Sequence, residues 1–121
     1  MKIQRLAAAF AFFAITVVFG QSQYLQKYAG AYYILVTGYS SNGESEAYTL
    51  KLDGSAIWIY GYKDQAGKVQ TQQKYGTWTA KNEEITITIR GNIGNISETY
   101  RYKNGRFVNT EESSRYLKKI L

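Results

Sequence analysis

The chain has 121 residues, a formal net charge of +6 and neither His nor Cys. Those absences exclude Ser-His-Asp and Cys-His nucleophilic pairs, imidazole and thiolate metal sites, disulfides, and anchoring through a lipidated N-terminal Cys. The length fits one domain.

Lys2 and Arg5 precede an apolar run from Leu6 to Phe19, and small or neutral residues at Val18 and Gly20 fit a cleavage site before Gln21. The run of about 14 residues is shorter than the roughly 20 needed to span a bilayer. The expectation is a signal peptide over residues 1–20 and an exported domain over 21–121, periplasmic or secreted, with no membrane span after cleavage and no lipid anchor. Removing Lys2 and Arg5 leaves the 101-residue domain at +4. It keeps both Trp, all twelve Tyr and Phe107 as its single Phe.

Residues 21–27 read as a polar leader, and 28–37 as a first strand rich in aromatic and β-branched residues. After a Gly/Ser/Asn loop over 38–45, the run 46–52 alternates, with Tyr48, Leu50 and Leu52 on one face. Asp53-Gly54 is a hairpin signal, and Ala56 to Tyr62 is the return strand. Its register is open. A two-residue turn puts Ile57 and Ile59 inward, whereas a three-residue loop with a bulge puts Trp58, Tyr60 and Tyr62 inward, because a one-residue slip exchanges the faces.

Val69 to Ala80 reads as one long strand with a bend at Gly76, where an interior Gly marks a bulge or barrel corner. The clearest pattern follows. Gly76, Trp78 and Ala80 share one face, Lys81 to Glu84 forms a turn, and Ile85, Ile87 and Ile89 alternate with Thr86, Thr88 and Arg90. A strand over 96–103 carries Tyr100 and Tyr102, Asn104-Gly105 is a tight hairpin turn, and 106–109 returns. The end, 115–121, reads as a last strand or a short helix. About eight strands joined by short turns, with no long amphipathic helix, predict an all-β fold. It is a single antiparallel meander closed as a small barrel, with an open sandwich as the alternative.

Thr49-Leu-Lys-Leu-Asp-Gly-Ser55, Gly76-Thr-Trp78 and Ile85-Thr-Ile-Thr-Ile89 resemble the small lipocalin-like barrels of bacterial envelopes, the NlpE-like and META-type domains, over about residues 48–90. The resemblance implies an eight-stranded up-and-down barrel at the envelope. The NlpE-like proteins carry a Cys-x-x-Cys and an anchoring Cys. This chain has neither, so their copper role and lipid attachment do not transfer.

The predicted core is Leu50, Leu52, Trp78, Ile85, Ile87 and Ile89, with Trp78 as the plug of one barrel end. Glu83-Glu84 and Glu111-Glu112 fall in predicted turns, where neighbouring side chains diverge, and read as solvated residues rather than a metal or acid-base pair. No Gly-rich phosphate loop precedes a helix. No enzyme, cofactor or metal site is expected. The basic residues are scattered rather than clustered and export opposes nucleic acid as a partner. Asn95-Ile96-Ser97 matches the N-glycosylation acceptor by chance. The surplus of aromatics is the functional signal. If Trp58, Tyr60 and Tyr62 face inward, they and Tyr100 and Tyr102 are the candidate ligand-binding set for a small apolar or glycan-like molecule. The alternative is a protein-interaction module, an inhibitor or envelope-assembly subunit, meeting an envelope protein through an exposed aromatic face.

Overall fold

The computed structural model describes residues 23–39 and 42–120; the expected signal peptide lies outside them. Eight antiparallel strands follow in chain order: β1 (Gly30–Val36), β2 (Ser45–Leu50), β3 (Ser55–Lys63), β4 (Val69–Lys81), β5 (Glu84–Arg90), β6 (Asn95–Lys103), β7 (Arg106–Asn109) and β8 (Arg115–Lys119). Each pairs with the next, and β8 pairs back onto β1, closing an up-and-down barrel. The closed meander expected from the sequence is the fold, and the chain end is a strand rather than a helix. Closure removes free sheet edges, which a Pro-free all-β chain otherwise exposes.

The register of β3 is resolved by its turn. Gly54 has φ +88°, its N–H donates to the Lys51 carbonyl, and the Lys51 N–H donates to the Ser55 carbonyl. This is the three-residue loop with a Gly in the left-handed region. Tyr48 therefore opposes Trp58 and Leu50 opposes Ala56, so Trp58, Tyr60 and Tyr62 lie on the inner face. The same loop corrects the place of Leu52. It was expected in the core, but strand β2 ends at Leu50, and Leu52 sits in the turn at 64 % exposure.

At the end of the barrel carrying the tight turns, the interior is apolar and filled. Leu50, Ile85, Ile87, Ile89 and Trp78 are buried there with Tyr28, Phe107 and Leu117. Trp78 donates its indole N–H to the Lys51 carbonyl at 2.8 Å, which ties it to the β2–β3 turn. Residues 23–28, where the sequence predicts a polar leader to Lys27 and a strand from Tyr28, form a short helical segment across this end instead, and the first strand begins at Gly30. Tyr24 and Leu25 pack on the core, the Tyr28 ring meets Phe107 edge-on at 5.1 Å, and the Tyr28 hydroxyl accepts the Glu83 N–H at 2.9 Å. The glycine at position 76 has a steric cause: a Cβ there would lie 1.8 Å from the Thr88 carbonyl oxygen. Only Gly lets β4 approach β5 this closely.

Candidate functional site

Towards the other end, which carries the longer loops, the interior changes character. The alternation that buries Tyr48 and Leu50 also turns Glu46 inward. Likewise the alternation of Tyr100 brings in Glu98, and that of Leu117 brings in Arg115. These side chains converge from β2, β6 and β8. The Arg115 guanidinium meets both Glu46 oxygens at 3.2 and 3.1 Å, and Glu98 at 2.8 and 3.2 Å. Its Nε also donates to the Tyr100 hydroxyl at 3.0 Å. Tyr48 donates to Glu98, Trp58 donates to Glu46 at 2.7 Å, and Asn109 donates to Glu98 at 3.2 Å. One guanidinium thus stands between two carboxylates, in side chains only 16 %, 28 % and 19 % exposed for Arg115, Glu46 and Glu98.

The cluster is electrostatically self-consistent. Burial opposes the Arg115 charge, but the hydrogen bonds to Glu46 and Glu98 more than offset it, and the guanidinium is held charged well above its ordinary range. Burial first, then the hydrogen bond to Glu98, pushes the Tyr48 phenol far above its usual value. Burial and the Glu98 charge do the same to Tyr100. Both phenols remain neutral donors at physiological pH. Asn109, itself buried, uses its carbonyl oxygen to accept the N–H groups of Glu111 and Glu112 at 2.9 and 3.0 Å. The β7–β8 loop is therefore fastened to the cluster, and Glu111 and Glu112 belong to that fastening.

Beside the cluster the barrel wall opens. β1 pairs with β2 only from Gly30↔Leu50 to Tyr33↔Ala47, although β1 continues against β8 as far as Val36↔Arg115. Beyond Tyr33 the two strands part around a cleft of about 630 Å³ lined by Tyr33, Val36, Tyr39, Glu44, Glu46 and Tyr60, and running out to Arg106 and Tyr116. Glu46 faces both the cleft and the Arg115 cluster. Tyr60 is raised in pKa by burial and by a hydrogen bond to Glu44.

Comparison of the chain with protein-family models, curated proteins and solved structures yields no match. The site is read from its chemistry alone.

The expected ligand-binding residues are not gathered in one place. Trp58, Tyr60 and Tyr62 form a ladder on β3, with ring centroids 5.8 and 5.7 Å apart and planes 2° and 24° from parallel. Inserting a flat ligand between two rings needs a separation of about 7 Å, so the ladder presents edges and hydroxyls rather than open faces. Lys74 lies over Trp58, and of the three, Tyr60 lines the cleft. Tyr100 is fully buried in the cluster. Tyr102 stands beside Phe107 at the tight-turn end, lining a second depression. Sequence reasoning missed Glu46, Glu98, Asn109 and Arg115. The signal was available in the alternation itself: each charged residue sits two positions from a residue the pattern turns inward.

Among the described residues no group of three or more acidic side chains is placed to hold a metal ion, and no helix is long and apolar enough to cross a membrane.

Proposed function

We propose that this chain is an exported, non-enzymatic barrel that holds a small, glycan-like or amphipathic molecule in the cleft between β1 and β2. The observation that carries the reading is the parting of those strands beside Glu46. Its volume of about 630 Å³ falls in the range of about 300–1,000 Å³ typical of small-molecule sites. Tyr33 and Tyr39 offer half-exposed to exposed rings, and Glu44 and Glu46 offer acceptors without donors. Such a lining suits a ligand with one apolar face and one edge of hydroxyl or amine donors. The Arg115 cluster would hold Glu46 rigidly, so binding would not have to order it. The aromatic-face alternative is less favoured, because the exposed Tyr33, Tyr75 and Tyr102 lie on β1, β4 and β6, spread around the barrel.

The test is titration of the purified chain with chito- and cello-oligosaccharides and with neutral N-phenylnaphthylamine, followed by Trp emission. Trp58 is bonded to Glu46, so a bound ligand is expected to shift the emission saturably, and Tyr60→Ala is expected to abolish the shift while leaving the far-UV circular dichroism intact. Emission that stays constant with every probe would refute the reading.

A further inference from the structure

The second depression, about 520 Å³, lies at the tight-turn end, where the β7–β8 ladder is only two pairs long, Phe107↔Leu117 and Val108↔Tyr116. Its floor is Tyr28, Tyr32, Phe107 and Leu117, all buried, and its rim carries Lys27, Arg106, Lys118 and Lys119, with no carboxylate in the lining among the described residues. Among the described residues none of those four cations is in an ion pair. Three rest over rings: Lys27 at 5.3 Å from Tyr28, Lys119 at 5.9 Å from Tyr32 and Arg106 at 3.9 Å from Tyr116. The helical segment, β7 and β8 each supply at least one cation, so the positive field converges although the residues are scattered in sequence. Cations seated on ring faces keep their N–H donors for a further acceptor.

We propose that this groove is a separate binding site for an anionic amphiphile, its acidic headgroup, a phosphate or carboxylate, among Lys27, Lys118 and Lys119, and its apolar body along Phe107 and Leu117. An apolar floor beneath an uncompensated cationic rim suits neither a neutral glycan nor a free small oxyanion, which would leave one of the two surfaces unused. The groove adjoins the β1–β2 cleft at Arg106 and Tyr116, which line both. The three lysines line only the groove, so they separate this site from the one proposed above.

The experiment is calorimetric titration of the purified chain with dodecyl phosphate below its micellar concentration, with dodecyl maltoside and inorganic phosphate as comparisons. Sedimentation with phosphatidylglycerol vesicles forms a parallel arm. One-to-one binding of dodecyl phosphate is expected, weakened about tenfold or more in Lys27→Gln/Lys118→Gln/Lys119→Gln. A Lys118→Arg variant keeps the charge and is expected to retain binding. Capture of the lipid from vesicles as well would identify a membrane source, and binding of the free amphiphile alone a soluble one. Equal binding of dodecyl maltoside, equal binding of inorganic phosphate, indifference to the triple substitution, or vesicle association without a saturable site would each overturn the proposal.

Discussion

Arg115→Met removes the one positive charge between Glu46 and Glu98 and keeps most of the side-chain volume. It deletes contacts at 3.2, 3.1, 2.8 and 3.2 Å to two carboxylates and one at 3.0 Å to the Tyr100 hydroxyl. Taking one partner from a buried ion pair costs about 3–5 kcal/mol, because the other charge is left uncompensated. Residual exposure of 16–28 % in the three side chains argues for the lower end, so the loss is put at about 3 kcal/mol. For a domain of this size that is a fall of about 12–24 °C in the melting temperature. Urea unfolding followed by circular dichroism at 215 nm measures it directly. A companion removes the cause: Arg115→Met with Glu98→Gln leaves one stranded carboxylate instead of two and is expected to recover about 1 kcal/mol or more. A loss under about 1 kcal/mol, the size for a solvent-exposed pair, would refute the reasoning, as would a Glu98→Gln companion less stable than the single variant.

Gly76→Ala places a methyl against backbone rather than a flexible side chain, 1.8 Å from the Thr88 carbonyl. It is expected to cost about 3 kcal/mol or more, at or above the upper range for overpacking, by the same urea assay. Leu52→Gln is expected to lie within about 0.5 kcal/mol of the parent, as surface changes do; a loss of 2 kcal/mol would return Leu52 to the core. Alkaline pH is expected to unfold the barrel. Burial, with Tyr28 nearby, pushes Tyr32 up to about 12, and Tyr48 and Tyr100 are raised further. An unfolded phenol ionises near 10, so the unfolded state releases protons first. Stability is full below about pH 10 and falls as pH climbs through 12. Phenolate absorbance at 295 nm should therefore contain a cooperative step coincident with loss of β signal; a single non-cooperative titration with the β signal intact would contradict it.

How much of this was legible depends on what the pattern of side chains encodes. Period-two alternation in Ile85, Ile87 and Ile89, and turns such as Asn104-Gly105, with φ of +52° and +86°, are local, so the strands and their order could be read directly. The facing of β3 could not. It turns on whether Asp53-Gly54 closes two residues or three, and both loops are compatible with the same local sequence. The interior cluster was hidden for another reason. Glu46, Glu98 and Arg115 look individually like solvated charges, and only closure of β8 onto β1 brings the third to the first two. The helical segment at 23–28 is too short to be specified by propensity and takes its shape from Tyr28 packing on Phe107.

Both proposed sites follow from unequal strand lengths. β4 has thirteen residues and β3 and β6 nine each, whereas β7 has four and β8 five. A barrel closed from such strands cannot keep every ladder full, so the wall parts where short or diverging neighbours run out of partners. It parts between β1 and β2 near the longer loops, and between β7 and β8 near the tight turns. What lines each opening differs in charge. At the first, the inward alternation of β2 delivers Glu46, and the loop delivers Glu44. At the second, Lys118 and Lys119, at the end of β8, share the lining with Lys27 of the helical segment. The polar cluster and apolar plug between them leave the barrel axis filled. In this fold a ligand is therefore expected at the seams of the wall rather than in a central cup. Lengthening β7 by a two-residue strand insertion at the 104–105 turn, which would extend its ladder against β8, should close the basic groove and abolish dodecyl phosphate binding, while the Trp emission response at the β1–β2 cleft persists. Loss of both responses together would show that the two openings are one site.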